Sequence, residues 1–541
     1  MTYSYQQHIS WIWAFTQRYR TRLSIYFILE LSGIVFSLLF VYWSKVAIDR
    51  ATGHVDKEIA PILILIVSAV LAGIIVRSIS SWIDENTRLR MSIQLQNQIT
   101  KEQMRSSWSS LKKRQTGDLM VRLQEDNREV VQMIGSSGLS FIITLLKLLT
   151  SLFFLWSMDP VLAAMIVFIT PLFFFSKLYF KKIRALNQQA KAADSMVGNI
   201  IQENLRFRMV IRALGLLFYR DEKLRVEQGR LLQLKMRQIN FSILSNTIVR
   251  LTMNAGYLIA FIWGVYRLHQ QEISFGTMTA FLQLVGRIQT PILSAAAFVP
   301  AFVRFRVSLD RILELFEGNK EVEVAPIKFS TIQRITFENV SFKYEEANVI
   351  DNLSLEVAAG KPLAILGSSG RGKTTLMRLL LSLCSPDNGK IFLQSGFDPA
   401  QVLEGKHRSN FAFVPQGNSL FTGTIKENIV GELSVSSLQI NDALELACAS
   451  FVHDLPQGIH TFIGESGYGL SEGQAQRIAI ARAVIRDVPV WLFDEPTSAL
   501  DEETSARLIA QLLYEGKNKI LIFVTHDLKL AECCDTTVYL H

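Results

Sequence analysis

Long apolar runs alternate with polar, basic stretches over the first part of this chain, and short apolar runs separated by glycine-rich loops fill the rest. The long runs lie near 23–45, 59–83, 138–157, 160–180, 243–266 and 275–300. Each approaches or exceeds the roughly 20 residues a helix needs to cross a bilayer. The pattern therefore predicts an all-α domain over residues 1–315 with six membrane-spanning helices. Connections at 49–58, 158–160 and 267–274 are short, whereas those at about 84–137 and 181–240 are long and rich in Lys and Arg. Excess Lys and Arg marks the cytoplasmic side, so both long connections and both termini are expected there. Their length suits helices that leave the membrane and return as hairpins, with turns expected at Gly117 and Gly215. The stretches around them, 111–123 and 211–224, would act as elbows against a cytoplasmic partner domain. Before the first span, Trp11, Trp13 and Phe15 precede Arg18, Arg20 and Arg22, an aromatic and basic order suited to a helix lying in the membrane interface.

Composition agrees with a chain of two characters. Hydrophobic residues make up 49% and Phe alone numbers 34, yet 19% of residues are charged. The net charge of +8 arises from bases crowded between apolar spans, which membrane topology explains better than a nucleic-acid-binding face; no nucleic acid is expected as a partner. Cys384, Cys448, Cys533 and Cys534 lie in the second half without metal-ligand spacing and read as reduced thiols of a cytosolic domain. The first apolar run is too long for a signal peptide and lacks a small-residue cleavage site. Within the spans, Glu30, Arg77, Lys147, Arg250 and Arg287 are ionisable residues where charge is costly. They point either to a cargo cavity of positive balance, suited to anionic or amphiphilic cargo, or to internal pairing of Glu30 with a base and snorkelling by Arg77.

Residues 316–331 lose the long apolar pattern and carry charge, Gly and Pro, which marks a linker before a second domain at 332–541. Residues 335–344 alternate as a strand and end at Tyr344, placed to stack on an adenine ring. Residues 367–375 (Gly367, Ser368, Ser369, Gly370, Arg371, Gly372, Lys373, Thr374, Thr375) follow an apolar run and precede a helical one. That is the phosphate-cradling loop in strand–loop–helix context: glycines free backbone N–H groups for phosphate, Lys373 neutralises charge, and Thr374 would ligate Mg²⁺. The strand at 411–416 ends in Gln416, and the apolar strand at 490–495 ends in Asp494 and Glu495. There Asp494 would reach Mg²⁺ and Glu495 would take the proton of an attacking water. The apolar strand at 520–525 ends at His526, able to hydrogen-bond a γ-phosphate.

Taken together, these residues resemble the ATP-binding cassette family, specifically the exporter-type half-transporters, over nearly the whole chain. The motif that carries the resemblance is Leu470, Ser471, Glu472, Gly473, Gln474, similar to the family's signature loop. The resemblance implies a six-helix transmembrane domain followed by an α/β phosphate-loop ATPase domain, with ATP and Mg²⁺ as cofactors. It makes Tyr344 the adenine-stacking aromatic, Gln416 the residue facing both Mg²⁺ and the membrane domain, Asp494 the metal acid, Glu495 the catalytic base and His526 the switch histidine. It also makes Ser498, Ala499, Leu500 and Asp501 a dimer-contact loop, and places Glu465 where the cassette meets the partner's intracellular helices. In that family ATP lies between one phosphate loop and the partner's signature, so a second half-transporter, identical or related, is required. Two departures stand out: Glu472 occupies a position usually held by Gly, and the cassette is short at its C-terminus. The expected activity is ATP-driven export or flipping of a cargo such as lipid, peptide or drug, from a chain integral to a bacterial inner membrane with its ATPase domain cytoplasmic. The alternatives are an importer on the same frame, such as one for metal chelates, and an ATP-gated channel or regulatory subunit.

Overall fold

A computed structural model describes residues 3–53, 58–108, 116–169, 177–318, 320–321, 324–344, 347–368, 370–396, 399–464 and 469–540. The chain divides into two compact units: residues 1–101 with 116–316, and residues 102–115 with 317–541.

The first unit is helical. Helix α1 (Tyr5–Thr16) opens with Ser4 and Gln7 in a reciprocal capping box. Its inner face carries His8 and Phe15, with His8 bonded to Asp310 at 2.7 Å, while Tyr5, Ile9 and Trp13 on the other face are exposed. The exposed trio recurs every four residues, the stripe an interfacial helix needs. Beyond it come α2 (Arg20–Ala51), α3 (Ala60–Met104), α4 (Gly117–Met158), α5 (Pro160–Ile169), α6 (Lys177–Arg206), α7 (Arg208–Ala213), α8 (Leu217–His269) and α9 (Phe275–Phe316). Among the described residues, α1 with α2, then α3, α4 and α8, are long and apolar enough to cross a membrane. The apolar run at 275–300 lies on α9, and the run at 160–180 begins on α5 and continues outside the described residues. At about 1.5 Å per residue, α3 and α8 far outrun a hydrocarbon core of roughly 30 Å.

Gly215 makes the expected turn, with φ +65° between α7 and α8. Gly117 does not: it lies in the first helical turn of α4, where a lone glycine is tolerated at a modest cost and nothing forces a break. Residues 111–115 of that expected elbow lie outside the described residues. Helix α4 also contains two π-helical turns, Arg122–Asp126 and Met133–Ser137. At the second, a Cβ on Gly135 would come 2.7 Å from Arg88 Cγ. The first is held by ions: Arg311 of α9 contacts Asp118 at 2.7 Å and Asp126 at 3.1 Å, and Ser308 donates to Asp126 at 2.8 Å. Between α4 and α5, Asp159 is 2% exposed and accepts from the N–H groups of Val161 and Leu162 and from the Trp263 indole.

In the second unit, β1 (Arg334–Tyr344), β2 (Ala347–Ala358), β4 (Asn388–Gln394) and β5 (Gln401–Val402) form an antiparallel sheet in the order β2, β1, β4, β5. A parallel sheet is built from β3 (Leu363–Leu366), β6 (Phe411–Val414), β9 (Val490–Asp494), β10 (Ile520–Val524) and β11 (Thr536–Tyr539), in the order β11, β3, β10, β9, β6. Strands β3, β9 and β10 are wholly buried, which explains why they read as unbroken apolar runs instead of alternating. A small hairpin pairs β7 (Gly423–Thr424) with β8 (Phe462–Ile463). Helices α10 (Lys373–Leu380), α11 (Ile425–Val430), α12 (Ser437–Leu446), α13 (Glu472–Val484), α14 (Glu502–Glu515) and α15 (Leu528–Glu532) complete the unit. One core packs β1–β4 against α10; a second packs Trp491, Phe493 and Phe523 against α11–α14.

Candidate active site

In an open parallel sheet, ligands bind beyond the carboxyl ends of the strands. Here those ends deliver Gly367 from β3, Gln416 from β6, Asp494 and Glu495 from β9, and His526 from β10. Residues scattered along the sequence thus meet at one sheet edge.

The loop after β3 turns into α10 through Gly372 at φ +92°, where a Cβ would come 2.8 Å from the Val349 carbonyl. Only glycine meets both demands without strain. Lys373 is 8% exposed, and its Nζ donates to the Gly367 carbonyl at 2.5 Å and lies 3.4 Å from that of Ser368. Thr374 is exposed, Thr375 is buried, Gly370 and Arg371 are exposed, and Ser369 lies outside the described residues. Asp494 is 6% exposed. Burial first, then the neighbouring Glu495 charge, push its carboxyl above the usual carboxylate range, while Lys373 and Arg378 oppose them.

Glu495 has φ +53°, a left-handed conformation that costs a non-glycine residue energy and clusters at functional sites. Its N–H donates to the Val524 carbonyl at 2.8 Å, and its carbonyl accepts from Gln476 Nε2 at 2.6 Å and Ser498 Oγ at 3.1 Å. These bonds hold the turn that lifts the side chain off the strand. One carboxylate oxygen accepts from Gln416 Nε2 at 3.0 Å; the other lies 3.3 Å from His526 Nε2, which is 2.9 Å from Lys373 Nζ. The structure therefore joins Lys373, His526, Glu495 and Gln416 in one chain of polar contacts. Among the described residues there is no group of three or more His, Cys, Asp or Glu able to hold a metal. A cation here would take few protein ligands, as Mg²⁺ does beside phosphates.

Tyr344 stands edge-on to Phe342 with ring centroids 4.9 Å apart, and its hydroxyl accepts from Arg378 Nη1 at 2.9 Å. In the signature stretch, Ser471 caps α13 and exchanges a capping box with Gln474, Glu472 is exposed in the first helical turn, and Leu470 packs against the helical core. Gly473 is buried against the loop of Ser498, Ala499, Leu500 and Asp501: a Cβ there would lie 2.4 Å from the Ala499 carbonyl. Asp501 caps α14, and the Thr504 N–H holds its carboxyl below the usual range. Glu465 lies outside the described residues. Sequence reading missed the positional roles of Gln476 and Arg378; both sit on helices leaving a recognised loop, and that adjacency was their only signal.

In the first unit, a cavity of about 900 Å³ is lined by Glu30, Arg77, Lys147 and Arg287 among apolar residues such as Phe36 and Phe40. Glu30 accepts from Lys147 at 3.3 Å and from Ser80 at 2.9 Å. Among the described residues, neither Arg77 nor Arg287 is paired with a carboxylate. Arg250 is exposed on α8 and does not line this cavity.

Residues 23–292 match the ABC transporter transmembrane region family, and residues 350–498 match the ABC transporter family. The chain is 25% identical to an ATP-dependent lipid A-core flippase of Photobacterium profundum, over 97% of this chain and 91% of that protein. It is 29% identical to a probable multidrug resistance ABC transporter ATP-binding/permease protein, YheI, of Bacillus subtilis (strain 168), over 78% of this chain and 74% of that one. The solved structure of a bacterial Atm1-family ABC exporter with ATP bound superposes with a TM-score of 0.76 at 22% identity, covering 96% of this chain and 93% of the other. A membrane region and an ATPase on one polypeptide, each matched over the segment where the fold places it, show that this chain belongs to the ABC transporters as an exporter-type half-transporter that couples ATP hydrolysis to transport.

Proposed function

We propose that the chain forms half of a pump that moves a negatively charged amphiphile out of, or across, a bacterial inner membrane by alternating access. Its termini and ATPase unit would face the cytoplasm, as the Lys- and Arg-rich long connections support. The observation that carries the cargo class is the cavity of the first unit: apolar walls, one carboxylate already engaged by Lys147, and two guanidiniums without a carboxylate among the described residues. An uncompensated charge in an apolar cavity is costly unless a ligand offsets it. The flippase and multidrug names of the relatives suit such a cargo.

At the ATPase site, Lys373 would release the loop carbonyls to neutralise the β- and γ-phosphates. The loop N–H groups and the N-terminus of α10 add fixed positive potential there. Glu495, oriented by Gln416 and His526, would accept the proton of the attacking water, and His526 would bond the γ-phosphate. Tyr344 would stack on the base. The exposed Thr374 hydroxyl, the Gln416 amide and the buried Asp494 carboxylate form a donor set that fits Mg²⁺, which when bound would neutralise phosphate charge. Leu470, Ser471, Glu472, Gly473 and Gln474 would meet ATP held by a second copy or a related chain, with Ser498, Ala499, Leu500 and Asp501 lining that contact.

The test uses proteoliposomes with ATP outside and fluorescent phospholipids of anionic or zwitterionic headgroup. ATP-dependent movement of the anionic probe is expected, with Arg287→Gln selectively weakening it and Glu495→Gln cutting turnover at least about a hundredfold while ATP still binds. Because ATP outside drives only those molecules whose ATPase unit faces outward, export moves the probe to the inner leaflet. Equal handling of both headgroups overturns the cargo class, ATP-dependent movement from the inner to the outer leaflet overturns export, and near-parent turnover by Glu495→Gln overturns the base assignment.

A further inference from the structure

The end of α3 and the residues after it, 102–108, belong to the second unit and not to the helical one that α3 otherwise serves. Several contacts fasten this segment. Ser106 bridges to Lys320 in antiparallel pairing, the Glu321 N–H donates to the Arg105 carbonyl at 2.8 Å, and Lys320 Nζ contacts Glu102 at 2.6 Å. The segment carries Trp108, whose indole N–H is buried and has no hydrogen-bond partner among the described residues. The Arg378 guanidinium lies 5.1 Å from the centre of the Trp108 ring, within cation–π range. The same guanidinium donates to the Tyr344 hydroxyl at 2.9 Å.

Arg378 therefore has an indole on one side and, on the other, the aromatic assigned to the nucleotide base. We propose that Arg378 is a positioning residue that lets Trp108, on the segment continuing α3, set the affinity of the site for the adenine base of ATP. The proposal rests on the reading of Tyr344 as the base-stacking ring. If the Trp108 face holds the guanidinium, then moving 102–108 frees Arg378 and releases the Tyr344 hydroxyl. By reciprocity of coupled equilibria, base binding then favours the held position of 102–108. That gives the long extension of α3 a means of sensing ATP through its base and not only through its phosphates.

The test compares ATP with inorganic tripolyphosphate, which has no base, as ligands of the full chain in lipid nanodiscs in a Glu495→Gln background. Trp108→Ala is expected to weaken ATP roughly fivefold, the size of one lost cation–π contact, and to leave tripolyphosphate unchanged. Trp108→Phe keeps a ring face and should restore most of the affinity. Arg378→Ala should weaken ATP similarly, and Trp108→Ala combined with Arg378→Ala should be no worse than Arg378→Ala alone, because coupled residues are not additive. Tyr344→Ala separates the two readings. If it weakens ATP while Trp108→Ala does not, the positioning role is overturned and the base contact stands. If neither affects ATP, the base contact is overturned and the positioning role with it. Equal weakening of ATP and tripolyphosphate by Trp108→Ala overturns the proposal as well, since it marks a general disturbance of the site.

Discussion

Asp494 concentrates the conflict between stability and function in one side chain. Its carboxyl sits at the end of a wholly buried strand and beside Glu495, so the folded state holds its proton more tightly than the unfolded state does. Such a group favours the fold while protonated, and that contribution is lost as pH rises from the unfolded value near 3.9 through the raised folded one. At neutral pH the buried charge is a net cost that Lys373 and Arg378 only partly offset. Asp494→Asn should therefore melt higher than the parent at pH 7, with the gap narrowing in acid, and should lose ATP turnover. A lower melting temperature at pH 7 would mean that the two bases outweigh burial. Glu495 carries a similar load in its backbone, where φ +53° is held by Gln476, Ser498 and the Val524 carbonyl. Such strain persists only where surrounding bonds over-determine it.

Between elements, a close approach in the cassette is that of α13 to the loop before α14. Gly473 lies in the first turn of α13, and its missing side chain admits the Ala499 carbonyl. Alanine is the better helix former by about 1 kcal/mol, so propensity alone predicts that Gly473→Ala stabilises. A backbone oxygen at 2.4 Å cannot swing away as a side chain would, and overpacking costs about 1–3 kcal/mol. The clash wins: Gly473→Ala should lower the melting temperature and, by displacing Ser498 and its bond to the Glu495 carbonyl, reduce ATP hydrolysis. Parent-like stability and turnover would show that the loop relaxes freely. In the helical unit, Asp159 plays the comparable part, serving two N–H groups and an indole from a nearly inaccessible site.

At the level of the whole molecule, one chain carries one phosphate loop and one signature-like stretch, so the proposed function requires a second half-transporter. If residues 470–474 meet ATP held by a second chain, as proposed above, Glu472 bears on closure. Exposed in the first turn of α13, it sits well with the helix dipole in the isolated chain, but would place a carboxylate near phosphates held by the partner. Two like charges a few ångströms apart repel by more than about 1 kcal/mol even at a protein-surface dielectric. In a Glu495→Gln background, Glu472→Gly should bind ATP about tenfold more tightly, measured on the full chain in nanodiscs. Unchanged affinity would place the Glu472 carboxylate away from the phosphates.

Short-range order is legible from the chain alone. A membrane span is a matter of composition and length, and a phosphate loop is a matter of which residues permit a tight turn between strand and helix, so both are written in contiguous residues. The series from Lys373 to Gln416, Asp494 and His526 is also recoverable, because each residue follows its own apolar strand and parallel strands bring their carboxyl ends to one edge. Gly117 misled, since a glycine signals a turn only where the backbone needs one, and α4 does not. What the local pattern left open were contacts between distant residues: that Glu30 takes Lys147 while Arg77 and Arg287 stay unpaired with acids among the described residues, that Gly473 faces Ala499, and that Trp108 reaches Arg378. Those depend on which helices and loops pack together, and hence on the sum of many burial and steric terms across the chain, to which no single stretch of sequence is sufficient.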